Sequence, residues 1–253
     1  MLLSLDLTLF RLINQVWIHP WLDVFFTFIT RPETWIPVGL GLSGYLLILG
    51  KRKGRVTFLM LLFAFGITDF TAARLIKPNA GRIRPSRLLR EYEPLKEKQE
   101  KLQIEILSLD TVPPALEDSL HVLTARVRHF EDSLSLTPEK IRVLEHIRRL
   151  DGYGGRWTFP SNHAANFFTV AAVLTFFYRK RRFIPWLMAV LVAYSRVYVG
   201  RHYPLDVLAG AVLGFVIGRL LCTLWQAWLY QKILAKQKSA ETALSDESSD
   251  VKS

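Results

Sequence analysis

The fold is decided at residues 56–85, which read VTFLMLLFAFGITDFTAARLI followed directly by KPNAGRIRP. The first part is apolar except for a few positions such as Asp69 and Arg74, and it is long enough to cross a lipid bilayer as one helix. Four more apolar stretches approach or meet this length, at residues 35–49, 167–178, 183–193 and 207–230. The sequence therefore predicts an all-α fold, a polytopic membrane helix bundle.

Basic residues are concentrated at every second connection between the apolar stretches. The formal net charge of +11 would suit a nucleic-acid-binding protein, but the cations cluster at residues 51–55, 179–182 and 232–238. Cationic connections tend to face the cytoplasm, so the other connections are expected to face outward. This pattern predicts a multi-pass cell-membrane protein, expected in a bacterial inner membrane, without a nucleic-acid partner.

The N-terminal residues have the periodicity of an amphipathic helix. Leucines recur at helical spacing over residues 1–18, with Asp6, Arg11 and Asn14 on the rest of the helix surface. This pattern predicts a helix lying on the membrane surface. If residues 12–30 then cross the bilayer with a kink at Pro20, about six crossings result and both termini are inside; otherwise five remain and the N-terminus is outside.

Residues 86–150 form a charged insertion between the two apolar halves at residues 19–85 and 151–231. Heptad spacing occurs over residues 88–109 and again over residues 116–134, and Pro113 and Pro114 separate the two seams. We predict an antiparallel helical hairpin outside the membrane, followed by a short helix from Thr137 to Leu150. The hairpin either packs on itself or, over residues 86–135, binds a protein partner or a second copy as a homodimer.

The C-terminal residues 232–253 differ in composition from the apolar halves. They are polar, and the final part is rich in Ser, Asp and Glu with few apolar side chains. Such a composition does not supply a hydrophobic core. We predict a disordered cytoplasmic tail.

Three polar motifs stand at the ends of apolar stretches on the predicted outer face. The first contains Lys77 and Arg84, the second Ser161, Asn162 and His163, and the third Arg196, His202 and Asp206. Cations hold phosphate oxygens, and a helix beginning after Ser161 would offer free backbone N–H groups to an anion. One histidine can attack phosphorus while another protonates the leaving oxygen. Each motif alone also fits a structural role, such as a headgroup anchor or a helix cap.

The three motifs together resemble the signature of the type 2 phosphatidic acid phosphatase family, which reads K-x6-R-P, P-S-G-H and S-R-x5-H-x3-D. The chain departs from it at Asn162, where glycine is usual. The resemblance implies that His202 is the nucleophile that becomes phosphorylated, that Asp206 orients it, and that His163 is the proton donor and later the base. It also implies a phosphate-binding set: Lys77, Arg84, Ser161, Asn162 through its backbone, and Arg196.

The resulting hypothesis is an integral membrane lipid phosphatase that needs neither metal nor cofactor. A polyprenyl diphosphate is the first expected substrate, with phosphatidic acid or phosphatidylglycerol phosphate next. Arg82 and Arg201 add positive charge on the same face, where they would meet either the second phosphate of a diphosphate or, as we expect, lipid headgroups. Two alternatives remain open: a phosphotransferase that passes the phosphoryl group to another lipid or sugar, and a non-catalytic membrane scaffold that uses the hairpin.

Overall fold

The computed structural model describes residues 2–109, 111–133, 137–148, 150 and 155–250, and the regular structure of this part is helical apart from one isolated pairing of Ile83 with Trp157. The helices in chain order are α1 (Leu2–Arg11), α2 (Pro20–Thr30), α3 (Pro32–Gly44), α4 (Lys51–Phe70), α5 (Lys77–Ala80), α6 (Pro85–Leu107), α7 (Pro114–Ser133), α8 (Pro138–Glu145), α9 (Asn162–Phe177), α10 (Phe183–Tyr198) and α11 (Pro204–Asp250). Wider π-helical turns extend α1, α3 and α4, at Leu12–Val16, Tyr45–Leu49 and Thr71–Ile76. The all-α prediction is confirmed.

Two continuous helical stretches are long and apolar enough to cross a membrane, Lys51–Ala80 and Pro204–Ala235. The apolar helices Pro20–Thr30 and Phe183–Tyr198 are shorter. Many large apolar side chains on α4 and α11 point outward, among them Leu62, Phe63 and Val212. In a membrane bundle such side chains face lipid, so their exposure on the outside of the bundle is expected.

Helix α9 packs closely against α11 along a ridge of glycines. A Cβ atom added at Gly214 would lie 1.9 Å from the carbonyl oxygen of Ala165, and one at Gly210 would lie 2.4 Å from that of Ser161. Thr169 of α9 donates a hydrogen bond to the Gly214 carbonyl at 3.0 Å. Small residues allow two backbones this close approach. The ridge brings the start of α9 next to the start of α11.

Two of the three basic clusters, at residues 51–55 and 179–182, meet at one end of the bundle. The ammonium group of Lys53, at the start of α4, lies 4.8 Å from the ring centroid of Tyr178, which directly precedes the cluster at residues 179–182. The three polar motifs lie at the other end of the same helices. This arrangement is the one predicted from the alternation of basic connections.

The N-terminal helix and the π turn that follows it bury polar side chains against the rest of the protein. Their polar residues Asp6 and Asn14, together with Phe10, are buried in the protein, whereas Leu5 and Leu9 are exposed. The Asn14 amide donates to the carbonyl oxygens of Tyr198 and Arg148. The predicted amphipathic character is present, and the polar residues are the ones that meet the protein, because in a membrane protein the apolar face of a helix can turn toward lipid. The location of this helix on the membrane surface stays a prediction.

Residues 12–30 do not form one kinked helix. The π turn of α1 ends at Val16, His19 has an extended backbone, and α2 begins at Pro20. Proline disfavours a helical conformation at the residue before it. The two ends of α2 contact the same end of α10, since Asp23 accepts a hydrogen bond from Tyr198 and Thr30 from Arg196. Residues 12–30 therefore do not form the single kinked crossing considered above, and the number of crossings stays a prediction.

Helices α6 and α7 form the predicted antiparallel hairpin. Tyr92 donates to Glu131 at 2.7 Å near its base, and Gln99 donates to Thr124 at 3.1 Å farther along. Leu123 and Val127 are buried in the seam, and Leu88 belongs to a core cluster with Phe10, Val197 and Tyr203. The hairpin therefore packs on itself and is anchored beside the third polar motif. Binding of a partner remains a prediction.

Two predicted boundaries differ from the observed ones. The third helix of the insertion, α8, ends at Glu145 rather than at Leu150. The sequence places Gly152, Gly154 and Gly155 after this helix as its expected end, and Gly152 and Gly154 lie outside the described residues. Helix α11 continues to Asp250, whereas a disordered tail was predicted from residue 232. Ala, Leu, Lys, Gln and Glu between residues 232 and 247 are strong helix formers, which accounts for the continuation. Residues 251–253 lie outside the described residues.

Candidate active site

Backbone hydrogen bonds join the three polar motifs into one site. The amide of Arg84 donates to the carbonyl of Arg156 at 3.1 Å, and the amide of Thr158 donates to the carbonyl of Arg82 at 2.8 Å. The amide of Ser161 then donates to the carbonyl of Asp206 at 2.9 Å. The site is thus assembled from chain segments more than 120 positions apart.

His202 is held in one orientation by a partner at each ring nitrogen. Arg84 Nη1 lies 3.1 Å from Nε2, and Thr158 Oγ1 lies 3.0 Å from Nδ1. A guanidinium group can only donate, so Nε2 is the accepting nitrogen. The hydroxyl of Thr158 donates its single proton to Asp206 Oδ2 at 2.6 Å, so Nδ1 carries the ring proton and donates it to Thr158. The geometry therefore indicates a neutral imidazole with its lone pair on Nε2.

The electrostatic surroundings of His202 favour the same neutral form. The side chain is 1% exposed. Burial lowers the pKa of His202 well below its ordinary value, and the positive charges of Arg84, Arg196 and Lys77 lower it further. These cations and His163 are close enough to act on the ring electrostatically.

Asp206 reaches His202 through a third residue. Its Oδ2 lies 3.8 Å from His202 Nδ1, which is too long for a hydrogen bond, and the Thr158 hydroxyl bridges the two groups. Asp206 therefore does not contact the ring directly. Thr158 stands three positions before Ser161, and no local sequence pattern pointed to it.

Arg82 was misplaced by the sequence prediction. It was expected to face lipid headgroups, but its guanidinium donates to Asp206 Oδ1 at 2.6 Å and to Asp6 Oδ2. The Asp6 and Asp206 side chains are fully buried. Asp6 also accepts from the amide of Leu205 at 2.8 Å. This ion-pair network ties α1 to the start of α11 and fixes the carboxylate behind Thr158.

The predicted phosphate-binding residues differ in their contacts. Arg84 contacts the ring directly, and Arg196, 3% exposed, is anchored through Thr30. Ser161 precedes α9 as predicted, but its side chain makes no capping bond, and its buried hydroxyl has no hydrogen-bond partner among the described residues. Lys77 begins the short helix α5. The side-chain amide of Asn162 instead donates to Asp69 at 2.9 Å.

His163 stands between this cationic cluster and an apolar groove. The groove has a volume of about 820 Å³ and is lined mainly by apolar side chains of α3, α4, α9 and α10, including Trp35, Phe65 and Phe167. His163, Asn162 and Asn166 also line it. A chain of lipid dimensions entering between the helices would therefore end beside His163.

Comparison with known proteins places this arrangement in a class. A model described as the PAP2 superfamily matches residues 57–230. A lipid A 4'-phosphatase of Porphyromonas gingivalis is 22% identical over 236 residues, which are 91% of this chain and 76% of that protein. The undecaprenyl-diphosphatase BcrC of Bacillus subtilis is 35% identical over 78 residues, 31% of this chain and 40% of that protein. A crystal structure of Aquifex aeolicus LpxE shares the fold with a TM-score of 0.53 at 24% identity, covering 87% of this chain and 95% of that one.

The helix bundle and these matches define the class as a membrane lipid phosphatase. The chain belongs to the PAP2 superfamily, whose model covers more than half of its length. The family resemblance drawn from the three motifs is thereby confirmed, and the protein is an enzyme of the phosphatase type.

Proposed function

We propose that the protein hydrolyses the terminal phosphate of a membrane lipid through a phosphohistidine at His202. The observation that carries this proposal is the hydrogen-bonded chain from Asp206 through Thr158 to His202, which leaves a lone pair on Nε2. In this structure Arg84 donates a hydrogen bond to that lone pair. When substrate binds, the same guanidinium group can donate to a phosphate oxygen instead. A neutral, oriented imidazole surrounded by cations suits attack on a phosphate group.

In the first step, a bond forms between His202 Nε2 and phosphorus while the bond from phosphorus to the lipid oxygen breaks. His163 gives its proton to that oxygen when the leaving group is an alcohol; a lipid phosphate leaving from a diphosphate needs no such proton. The positive charges of Arg84, Arg196 and Lys77 and the hydroxyl of Ser161 meet the charge on the phosphoryl oxygens. In the second step, the neutral His163 takes a proton from water while the water oxygen forms a bond to phosphorus. The bond from phosphorus to His202 Nε2 breaks, which releases inorganic phosphate and restores the neutral His202 ring.

The phosphoenzyme is testable by rapid quench with a ³²P-labelled lipid phosphate. We expect the protein to carry label that is stable in alkali and is released by acid, which is the behaviour of phosphohistidine. His202→Ala should carry no label, while the control His121→Gln, on the exposed surface of the hairpin, should label like wild type. Turnover should persist in EDTA, and one oxygen of the product phosphate should come from ¹⁸O-water. Label in the His202→Ala protein would refute the assignment of the nucleophile, and transfer of label to another lipid would favour the phosphotransferase alternative.

We further propose that the site faces the outer side of the membrane. The support is that the basic clusters at residues 51–55 and 179–182 meet at the opposite end of the bundle. Single cysteines test this orientation, because the native Cys222 is buried. An impermeant maleimide should label Ser119→Cys on intact cells and Lys180→Cys only after permeabilisation. The reverse pattern would place the site on the cytoplasmic side.

A further inference from the structure

A polar cluster that the proposed mechanism does not use lies beside His163 in the apolar groove. Asp69 of α4 accepts hydrogen bonds from Asn162 at 2.9 Å and from Asn166 at 3.2 Å, both on α9. All three residues line the groove. A carboxylate in a lipid-facing groove is costly unless it has partners, so its presence calls for a function.

The hydrogen bonds within the cluster leave acceptors without partners. Both amides direct their nitrogen to the same oxygen, Oδ1 of Asp69, and this orientation is fixed because a carboxylate can only accept. The amide oxygens of Asn162 and Asn166 are buried and have no partner among the described residues. Neither asparagine contacts the other carboxylate oxygen of Asp69, Oδ2, and the charge of Asp69 also acts on Lys77. Joining α4 to α9 would need only one of these bonds.

The position of the cluster indicates which part of a substrate would meet it. Asn162 is adjacent to His163 in the sequence, and Asn166 lies one helical turn farther along the groove. The remaining lining, with Trp35, Phe65 and Phe167, is apolar. A lipid whose phosphate lies at His202 and whose chains lie in the groove would place the unit between phosphate and chains against the three oxygens.

We propose that Asp69, Asn162 and Asn166 form a specificity subsite that accepts hydrogen bonds from hydroxyl or amide N–H groups of the phosphorylated headgroup. This inference rests on the proposed function. Headgroups with such donors next to the phosphate include acylated amino sugars and, with a single hydroxyl, phosphoglycerol. Polyprenyl diphosphates and phosphatidic acid have none there, so their binding would leave the two buried amide oxygens of Asn162 and Asn166 unsatisfied. Sites built around polar groups discriminate strongly against ligands that leave those groups unpaired.

The test compares the kcat/KM of purified protein for three substrates: a lipid-acylated glucosamine 4-phosphate, phosphatidylglycerol phosphate and phosphatidic acid. The wild-type preference for the amino sugar over phosphatidic acid should be at least about 30-fold, with phosphatidylglycerol phosphate between them. Asn166→Ala and the isosteric Asp69→Asn should each lower the preference by about tenfold or more. Thr175→Ala, which removes a polar group from the same helix outside the groove, should leave it unchanged.

The outcomes separate this inference from the proposed function. Equal loss on all three substrates in both variants would show that the cluster only supports the fold and would overturn the inference. A wild-type preference for phosphatidic acid would do the same. If Asn166→Ala does not fold, the ratio measured for Asp69→Asn decides. Absence of phosphate release and of phosphoenzyme with every lipid would instead refute the proposed function itself.

Discussion

Replacement of Thr158 by valine tests the least expected feature of the site. Valine keeps the volume of the fully buried threonine but removes the hydroxyl that joins His202 to Asp206. Asp206 cannot take over, because its Oδ2 is 3.8 Å from the ring and is also held by the amide of Tyr203 at 2.9 Å. The Nδ1 proton of His202 then has no acceptor.

The magnitude follows from the cost of leaving a buried donor unpaired, about 1–3 kcal/mol. The ring also loses the bond that fixes its tautomer, and loss of such orientation by a carboxylate partner costs up to about 10⁴ in kcat in a well-studied triad. We expect Thr158→Val to lower kcat by about 10²-fold, with little change in KM because the phosphate-binding cations are untouched. Thr158→Ser, which restores the hydroxyl, should remain within about fivefold of wild type.

The assay is steady-state phosphate release in detergent, with the rate of phosphoenzyme formation measured by rapid quench. A second comparison uses Asp206→Asn alone and together with Thr158→Val. If the two residues act in one chain, the double variant should be scarcely slower than the worse single variant. Wild-type kcat in Thr158→Val, or fully additive losses in the double variant, would refute the role of Thr158 as the link.

Three further predictions concern packing and charge. Arg82→Gln should lower the free energy of unfolding by about 3–5 kcal/mol, because the buried Asp6 and Asp206 lose the cation that they share. Adding Asp6→Asn should restore part of this free energy. An unchanged melting temperature in Arg82→Gln would contradict the ion-pair network. Gly214→Ala should strongly destabilise the folded protein, because its Cβ would meet the Ala165 carbonyl. Gly66→Ala has open space around the new Cβ and should be neutral or slightly stabilising. Similar melting curves for the two variants would contradict the close packing of α9 and α11. The pKa of His202 is lowered in the folded protein, so as the pH falls the unfolded chain binds a proton before the folded protein does. The free energy of unfolding therefore decreases as the pH falls below about 6.5. NMR of ¹³C-histidine-labelled protein, assigned with His202→Gln, should show His202 neutral at pH 6, and a protonated ring there would contradict the assignment.

Much of the fold was predictable because its signals are local. Apolar stretches, heptad seams and prolines act on neighbouring residues, and they predicted the bundle and the hairpin of α6 and α7. The face of α1 was not predictable in the same way, because periodicity separates an apolar from a polar face without telling which one meets lipid. The buried Asp6 has its partners in Arg82 and Leu205, which are remote in the sequence.

The site was predictable as a set of motifs but not as a geometry. His202, Arg84 and Arg196 converge because short backbone pairings join segments that sequence spacing cannot relate. Thr158 and Arg82 enter the site through those pairings, and neither has a local pattern of its own. Asp69 did carry a signal, since a carboxylate within an apolar helix is unusual, and its significance emerged only with its two asparagine partners.

The most direct test of the account is a structure of the protein with orthovanadate, which mimics phosphorus under attack. The account predicts vanadium bonded to His202 Nε2, equatorial oxygens on Arg84, Arg196 and Ser161, and His163 within hydrogen-bond distance of the opposite apical oxygen. Vanadate bonded to another residue, or a His163 ring too far away to reach that oxygen, would contradict it.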